Sequence, residues 1–554
     1  MKKYLHNKRY LASFDTGGLP QHSADVVVVG SGVAGLRAAV EAARHGRVLI
    51  LTKDRASESN TDYAQGGVAV ALSQADSVEA HIQDTLVAGA GLCDLEVVRY
   101  VVGEGPRLVR ELVEWGAVFD RDDGHLLFTQ EGGHSKARII HANGDATGHE
   151  IERALLKKVR STAAVTLVEH AYAVDVIGDS GRAVGVLAYA DGRLQVFFAP
   201  SVVIASGGAC HVYRETTNPP TATGDGIAMA YRAGATLSDL EFVQFHPTTL
   251  YIAGAARTLV SETVRGEGGM LRDRFGVHFM TNYHPLGDLA PRDIVSRAIV
   301  RQMAATSDTN VYLDLRHLDK QRILRRFPKL AELCTVFDID ISRDMIPVRP
   351  SAHYFCGGIR VDRSGWTGIE GLYACGEAAA TGLHGANRLG SNSLLEGLVY
   401  GCAAGEAAGR AAAKVRLGTP AVRADATLRS SARQGGQDSL RSASLDGADR
   451  LAPLIDIRDM ENSLRALLWR QVGIEREAPA LSDAEERIDF WSSYVMDREF
   501  DSPAGWQVQN MLSMAKVITF SARMRTESRG AHHRLDFPDR DDLNWDRHLI
   551  IKRD

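Results

Sequence analysis

This sequence predicts an α/β chain that carries an inserted segment and ends in a helical bundle. Three observations support that reading. Residues 24–53 run strand, glycine turn, helix, strand. Two later apolar strands end in glycine turns of similar form. Residues 455–530 carry their apolar side chains at helical spacing.

The first strand is Val26-Val27-Val28-Val29, a β-branched run of the kind found in buried parallel sheets. Gly30-Ser31-Gly32-Val33-Ala34-Gly35 then opens an Ala-rich helix, and Val48-Leu49-Ile50-Leu51 follows as the next strand. A further strand, Val202 to Ala205, ends in Ser206-Gly207-Gly208, and Leu372-Tyr373-Ala374 ends in Cys375-Gly376-Glu377. Strand ends of this kind carry loops toward a ligand. Residues 241–354 are richer in His, Arg and Pro and weaker in β-pattern, so they read as an insertion between these two strands. Residues 419–452, rich in Ser, Gly, Ala and Arg, read as a linker. Beyond it Leu464, Leu467 and Leu468, then Met511, Leu512, Met514 and Ala515, recur at helical spacing. The expected organisation is residues 1–240 with 355–418 as one discontinuous domain, 241–354 as a second, and 419–554 as linker and helical domain.

At 554 residues the chain can bury several cores. Its 69 acidic and 64 basic residues leave a net charge of −5, which provides no basic field for nucleic acid or an anionic membrane. Apolar runs stop short of the roughly 18 residues a membrane span needs. The basic start MKKYLHNKRY lacks the apolar stretch of a signal peptide. The six cysteines are scattered, with no pair at CxxC spacing, which argues against a metal site or a disulfide framework. A cytoplasmic protein is expected, with any redox chemistry supplied by a bound cofactor.

Gly30-x-Gly32-x-x-Gly35 follows a strand and opens a helix, the setting in which these glycines admit a pyrophosphate to the helix N-terminus. The second strand ends in Thr52-Lys53, with Asp54 just beyond, instead of the acid that holds a nicotinamide dinucleotide's ribose. Elsewhere His246, His353 and Arg388 are the residue types that clamp carboxylates, Arg often bidentately.

Ser59-Asn60-Thr61-Asp62-Tyr63-Ala64-Gln65-Gly66-Gly67 resembles the flavin-contacting loop of the succinate dehydrogenase, fumarate reductase and L-aspartate oxidase flavoprotein family. Further family-like stretches follow in order: TNPPTATGDG (Thr217 to Gly226), QFHPT (Gln244 to Thr248), SETVRGEGG (Ser261 to Gly269), LAPRDIV (Leu289 to Val295), SAHYFCGGI (Ser351 to Ile359) and HGANRLGSNSLLEGLVYG (His384 to Gly401). The resemblance covers about residues 24–535. It implies an FAD-binding Rossmann-like domain, an inserted α+β capping domain over the substrate, and the C-terminal helical bundle.

The resemblance also implies roles. Gly30, Ser31, Gly32, Val33, Ala34 and Gly35 would meet the FAD pyrophosphate, with Lys53 near the ribose. Asn60, Thr61, Tyr63, Ala64, Gln65, Gly66 and Gly67 would line the isoalloxazine. Asp225 and Glu377 would serve the adenosine and ribitol side, and Asn387, Ser393 and Leu394 would complete the site at a helix start. Membrane-complex relatives attach FAD through a His five residues before the Gln of AQGG. Here that position is Asn60, so non-covalent FAD is expected. Gly401, Gly405 and Gly409 lie four apart, which is expected to let that helix pack closely on the sheet.

On the substrate side, the resemblance implies His246, His353 and Arg388 as dicarboxylate clamps, with Ser261 in contact where relatives usually have Thr. Arg292 would move a proton to and from a substrate carbon, although by residue type alone an ion pair or clamp is its default reading. Glu262 and Arg265, at i and i+3, could relay that proton or form an ordinary salt bridge. EGGHSKARIIHANGDATG (Glu131 to Gly148) resembles the amino-acid-oxidising branch, where Glu131 would meet the substrate ammonium. The implied reaction is FAD-dependent oxidation of L-aspartate to iminosuccinate with oxygen or fumarate as acceptor. It would be the first step of NAD biosynthesis, with handover to quinolinate synthase. A soluble fumarate reductase or succinate dehydrogenase flavoprotein is the alternative.

Overall fold

The computed structural model describes residues 8–253, 257–418, 429–430 and 455–553. Of the expected linker, therefore, all but Arg429 and Ser430 lies outside the described residues. The chain begins with β1 (Val26–Val29), α1 (Val33–Ala42) and β2 (Val48–Leu51). After an excursion it returns as β3 (Val165–Val168), then forms an antiparallel meander of β4 (Tyr172–Asp179), β5 (Arg182–Ala190) and β6 (Arg193–Phe198). β7 (Ser201–Ile204) and α2 (Asp225–Arg232) follow.

The next stretch holds β8 (Val243–Leu250), α3 (Glu262–Gly266), β9 (Met270–Arg272), α4 (Arg292–Thr306), β10 (Val311–Asp314) and β11 (Ile346–Phe355). β12 (Leu372–Ala374) leads to the long α5 (Asn392–Gly418). Three more helices, α6 (Ile457–Gln471), α7 (Ala478–Val495) and α8 (Pro503–Met524), pack together.

The central sheet is parallel throughout, in the order β3-β2-β1-β7-β12. β1, β7 and β12 are buried along their length, which is why their sequences are continuous apolar runs. The order reverses between β1 and β7, and at such a point the strand ends open a crevice for ligand. Gly30 sits there with φ +110°, and a Cβ would lie 2.2 Å from the Ala205 carbonyl oxygen. Only glycine fits the close approach of these two strand ends.

One packing expectation is corrected. The glycine stripe of α5 meets helix α1, not the sheet. A Cβ on Gly401 would lie 2.6 Å from the Ala34 carbonyl oxygen, and one on Gly405 would lie 2.2 Å from that of Ala38. The small residues let two helix backbones touch, and this contact places the start of α5 beside the nucleotide turn.

The insertion is richer in strand than its sequence suggests. β8, β11, β10 and β9 form an antiparallel sheet in that order. β8 is buried along its whole length yet carries Gln244, His246, Thr248 and Thr249, so the apolar alternation of Val243 and Phe245 is short and stops at Pro247. Register shifts follow Gln244 and His246, and such irregularities re-aim side chains near functional sites. The C-terminal tail, for which the sequence offered no expectation, closes on the body: Ile550–Ile551 pairs with Leu237–Ser238. Among the described residues, no helix is long and apolar enough to cross a membrane.

Candidate active site

A continuous cavity runs from the end of the central sheet to the inserted sheet. At one end it is lined by Gly30, Ser31, Gly32, Val33 and Ala34, with Lys53 and Asp225. It passes Asn60, Thr61, Tyr63, Ala64, Gln65, Gly66 and Gly67, and then Ser393 and Leu394 at the start of α5. The far end is lined by Glu131, His246, Ser261, Glu262, Arg292, His353 and Arg388.

Arg292 is the first residue of α4 and is buried. Its Nε donates to Glu262 Oε2 at 2.7 Å, and its Nη1 donates to Gln244 Oε1 at 3.0 Å. Arg265 stands behind, with Nη2 3.3 Å from Glu262 Oε1, and it also donates to the Asp288 carbonyl. Helix α3 places Glu262 and Arg265 on one face, so Glu262 is shared by two guanidinium groups. Burial pushes the Glu262 carboxyl up, but Arg292 and Arg265 outweigh burial and hold it below its ordinary value.

Arg388 donates from Nη2 to His353 Nε2 at 3.2 Å and from Nε to Gln244 Oε1 at 3.3 Å, and it lies 4.3 Å over the Tyr354 ring. A guanidinium only donates, so His353 Nε2 accepts. His353 Nδ1 then carries the hydrogen and donates to Thr217 Oγ1 at 2.8 Å. His353 is therefore neutral, and burial with the nearby Arg388 and Arg292 drives its pKa far down. His246, 5.2 Å away ring to ring, is likewise held neutral by burial and then by Arg292 and His353. Its Nε2 has no hydrogen-bond partner among the described residues. Burial and the neighbouring Arg292 lower Arg388 to about 10.

Glu131 is buried, 4% exposed, so it is no solvated loop residue. Ser391 Oγ donates to its Oε2 at 2.7 Å and Thr263 Oγ1 to its Oε1 at 3.1 Å. A Cβ built on Gly390 would lie 3.1 Å from Arg292 Nη2, 3.2 Å from Glu131 Oε2 and 3.5 Å from Glu262 Oε2. These three charged groups thus converge on one small space.

An FAD binding domain family matches residues 25–394, and a fumarate reductase flavoprotein C-terminal family matches 461–554. The L-aspartate oxidase of Streptomyces coelicolor is 44% identical, covering 96% of this chain and 91% of that protein. The chloroplastic L-aspartate oxidase of Arabidopsis thaliana is 41% identical over 93% of this chain and 81% of its own length. The chain belongs to the L-aspartate oxidase family. Its fold is also that of E. coli quinol fumarate reductase, with a TM-score of 0.86 and 32% identity over 97% of this chain and 95% of that one.

Like other members of the L-aspartate oxidase family, the chain is an FAD-dependent oxidoreductase, and its residues fit the cofactor. Gly32, the N-cap of α1, has no side chain to cap the helix; the Val33 amide donates to Thr61 Oγ1 at 3.0 Å, and the positive end of the helix faces the cavity where a pyrophosphate would sit. Asn60 Oδ1 is buried without a partner among the described residues, while its amide donates to Asn218 Oδ1 at 3.0 Å and Glu377 Oε2 at 3.2 Å. An amide cannot form the covalent flavin link. Acid precipitation is therefore expected to release all flavin to the supernatant, and flavin in the washed pellet would contradict this.

Several expected positions lie elsewhere or have a second task. Gly35 is absent from the cavity lining; a Cβ there would lie 2.1 Å from the Gly30 carbonyl oxygen, so it serves the turn's packing. Asn387 also stands outside the lining, accepting from Gln244 Nε2 at 2.8 Å and donating to Asp293 at 3.3 Å. Arg265 is one layer behind Glu262. Ser261 lines the cavity, but its Oγ also caps α3 through the Thr263 amide. Asp225 lines the cavity with both oxygens engaged, by Tyr172 and Asn510 on one and Lys53 and Thr223 on the other. The Lys53 ammonium and these donors outweigh burial and keep Asp225 below its ordinary pKa.

Sequence reasoning passed over Gln244, which is fully buried and joins Arg292 to Arg388 through one carbonyl oxygen. It also passed over Ser391, Thr263 and Thr217. Each lies within or beside a quoted motif, but a neutral side chain there signals nothing until its partner is known.

Proposed function

We propose that L-aspartate binds at the far end of the cavity with one carboxylate held by Arg388 and the other facing His246 Nε2, and with its ammonium against Glu131. The chain oxidises L-aspartate to iminosuccinate, with oxygen or fumarate as electron acceptor. Bound FAD supplies the two-electron acceptor for that oxidation. Glu131 orients the ammonium and faces the proton that nitrogen must lose on becoming an imine. When fumarate is the substrate, Arg292 delivers a proton to carbon, and Glu262 with Arg265 forms the relay that restores it. His246 and His353 act as neutral hydrogen-bonding groups.

The observation that carries this reading is the charge balance at the far end of the cavity and in the layer directly behind it. Three buried arginines, Arg265, Arg292 and Arg388, face two buried carboxylates, Glu131 and Glu262. One positive charge remains uncompensated. Aspartate, a monoanion with its ammonium intact, matches it; succinate brings a second negative charge with no ammonium to face Glu131. Buried charge without a partner is costly. Turnover in air is therefore expected with L-aspartate, with release of ammonia as the imine hydrolyses, and far less with succinate. Faster oxidation of succinate would favour the dehydrogenase reading.

The product suits the first step of de novo NAD biosynthesis, with handover to quinolinate synthase. A cytoplasmic setting is supported by six free cysteines, which a reducing compartment preserves.

A further inference from the structure

We propose that His134 is a positioning residue for amino-acid selectivity, acting through Glu131; the inference rests on Glu131 being the partner of the substrate ammonium. His134 is buried and lies outside the cavity lining, three residues beyond Glu131 in the EGGHS stretch. Its two ring nitrogens join two separate segments. Nδ1 lies 3.2 Å from Arg138 Nη1, and Nε2 lies 3.0 Å from the Gly390 carbonyl oxygen. Arg138 only donates, so Nδ1 accepts, and the hydrogen sits on Nε2 and is given to Gly390. One neutral tautomer satisfies both ends.

Arg138 is itself immobilised. It is fully buried and bidentate to Asp76, through Nε to Oδ2 and Nη2 to Oδ1, each 2.8 Å. It also reaches Asp84, which takes hydrogen bonds from the amide and hydroxyl of Ser135 at 2.8 Å each. The imidazole is thus a strut between an anchored guanidinium and the turn at Gly390. The His134 amide donates to the Glu131 carbonyl at 3.2 Å, closing the loop on itself.

That turn needs holding. Ser391 has φ +62°, a left-handed conformation that a residue with a side chain seldom adopts. Its hydroxyl is the 2.7 Å donor to Glu131 Oε2. A closed circuit therefore runs from Glu131 along the backbone to His134, across to Gly390, on to Ser391 and back to the Glu131 carboxylate. Without the strut, the Ser391 turn can relax and Glu131 loses its fixed aim. Arg292, Arg388 and His246, which serve a dicarboxylate lacking nitrogen, make no bond to the strut.

The test uses purified holoenzyme with His134→Leu and His134→Gln, assayed for L-aspartate oxidation and for fumarate reduction. In His134→Leu, KM for L-aspartate is expected to rise about tenfold, the scale of one buried hydrogen bond. Fumarate reduction and FAD content are expected to change little. His134→Gln keeps an N–H that can reach Gly390 and is expected to recover most of the loss. If the leucine variant does not fold, His134→Asn keeps an acceptor for Arg138 but is too short to reach Gly390, and it should show the same selective rise. An unchanged KM for L-aspartate, or equal loss of both activities together with loss of FAD, overturns the proposal. Glu131→Gln run alongside separates the two readings. If Glu131→Gln is selective and the His134 variants are not, only this inference falls. If Glu131→Gln loses both activities equally, the ammonium reading falls and takes this inference with it.

Discussion

Arg292→Lys is expected to reduce fumarate reduction by roughly 10²–10⁴-fold, the usual contribution of a placed general acid. The guanidinium reaches three directions at once. Nε binds Glu262, Nη1 binds Gln244, and Nη2 faces the space at Gly390. A lysine keeps the charge but has one nitrogen at the end of a flexible stem, so it cannot hold Glu262 and Gln244 while presenting a proton to carbon. The loss is expected in kcat and kcat/KM together. Arg292 lies at the start of α4, so FAD content should be preserved. A raised KM with kcat nearly intact would make the residue a substrate anchor instead of the proton donor.

The second large effect is selective. Glu131→Gln removes the carboxylate proposed to face the substrate ammonium, leaving that cation buried without a counter-charge. Breaking such a pair costs about 3–5 kcal/mol, so kcat/KM for L-aspartate is expected to fall roughly 10²–10⁴-fold. Fumarate has no ammonium and carries two negative charges. With Glu131 neutral, the site holds two uncompensated positive charges and matches that dianion, so fumarate reduction should be largely kept. Ser391 and Thr263 can still donate to the amide oxygen of glutamine, which limits structural damage. Equal loss of both activities would assign Glu131 a structural task.

The nucleotide end of the molecule was legible from sequence because its physics is local. Val26 to Val29 is apolar at every position since the strand is buried on both faces, and Gly30 is glycine because the Ala205 carbonyl leaves no room for a Cβ. The charged residues of the far end were legible because each stands in a motif, and the cavity gathers Glu131, Glu262, Arg292, His353 and Arg388 from distant parts of the chain. What sequence could not give were relations between segments. The glycine stripe of α5 is plain in the sequence, but its partner was read as the sheet when it is helix α1. β8 was obscured because its buried face carries Gln244, His246 and Thr248, whose hydrogen bonds are satisfied only in the folded chain. Gln244 shows the general reason. Its importance lies in one carbonyl oxygen shared by two arginines more than forty positions downstream, and no local pattern encodes that.

On the function proposed above, this site takes electrons from L-aspartate through a carboxylate–ammonium contact and not from dicarboxylates generally. Anaerobic mixing of the oxidised holoenzyme with L-aspartate, followed by flavin absorbance, tests it most directly. L-aspartate is expected to bleach the flavin fully, succinate at the same concentration to leave most of it oxidised, and later addition of fumarate to restore the colour. Bleaching by succinate as fast as by L-aspartate, or none by L-aspartate, would contradict it.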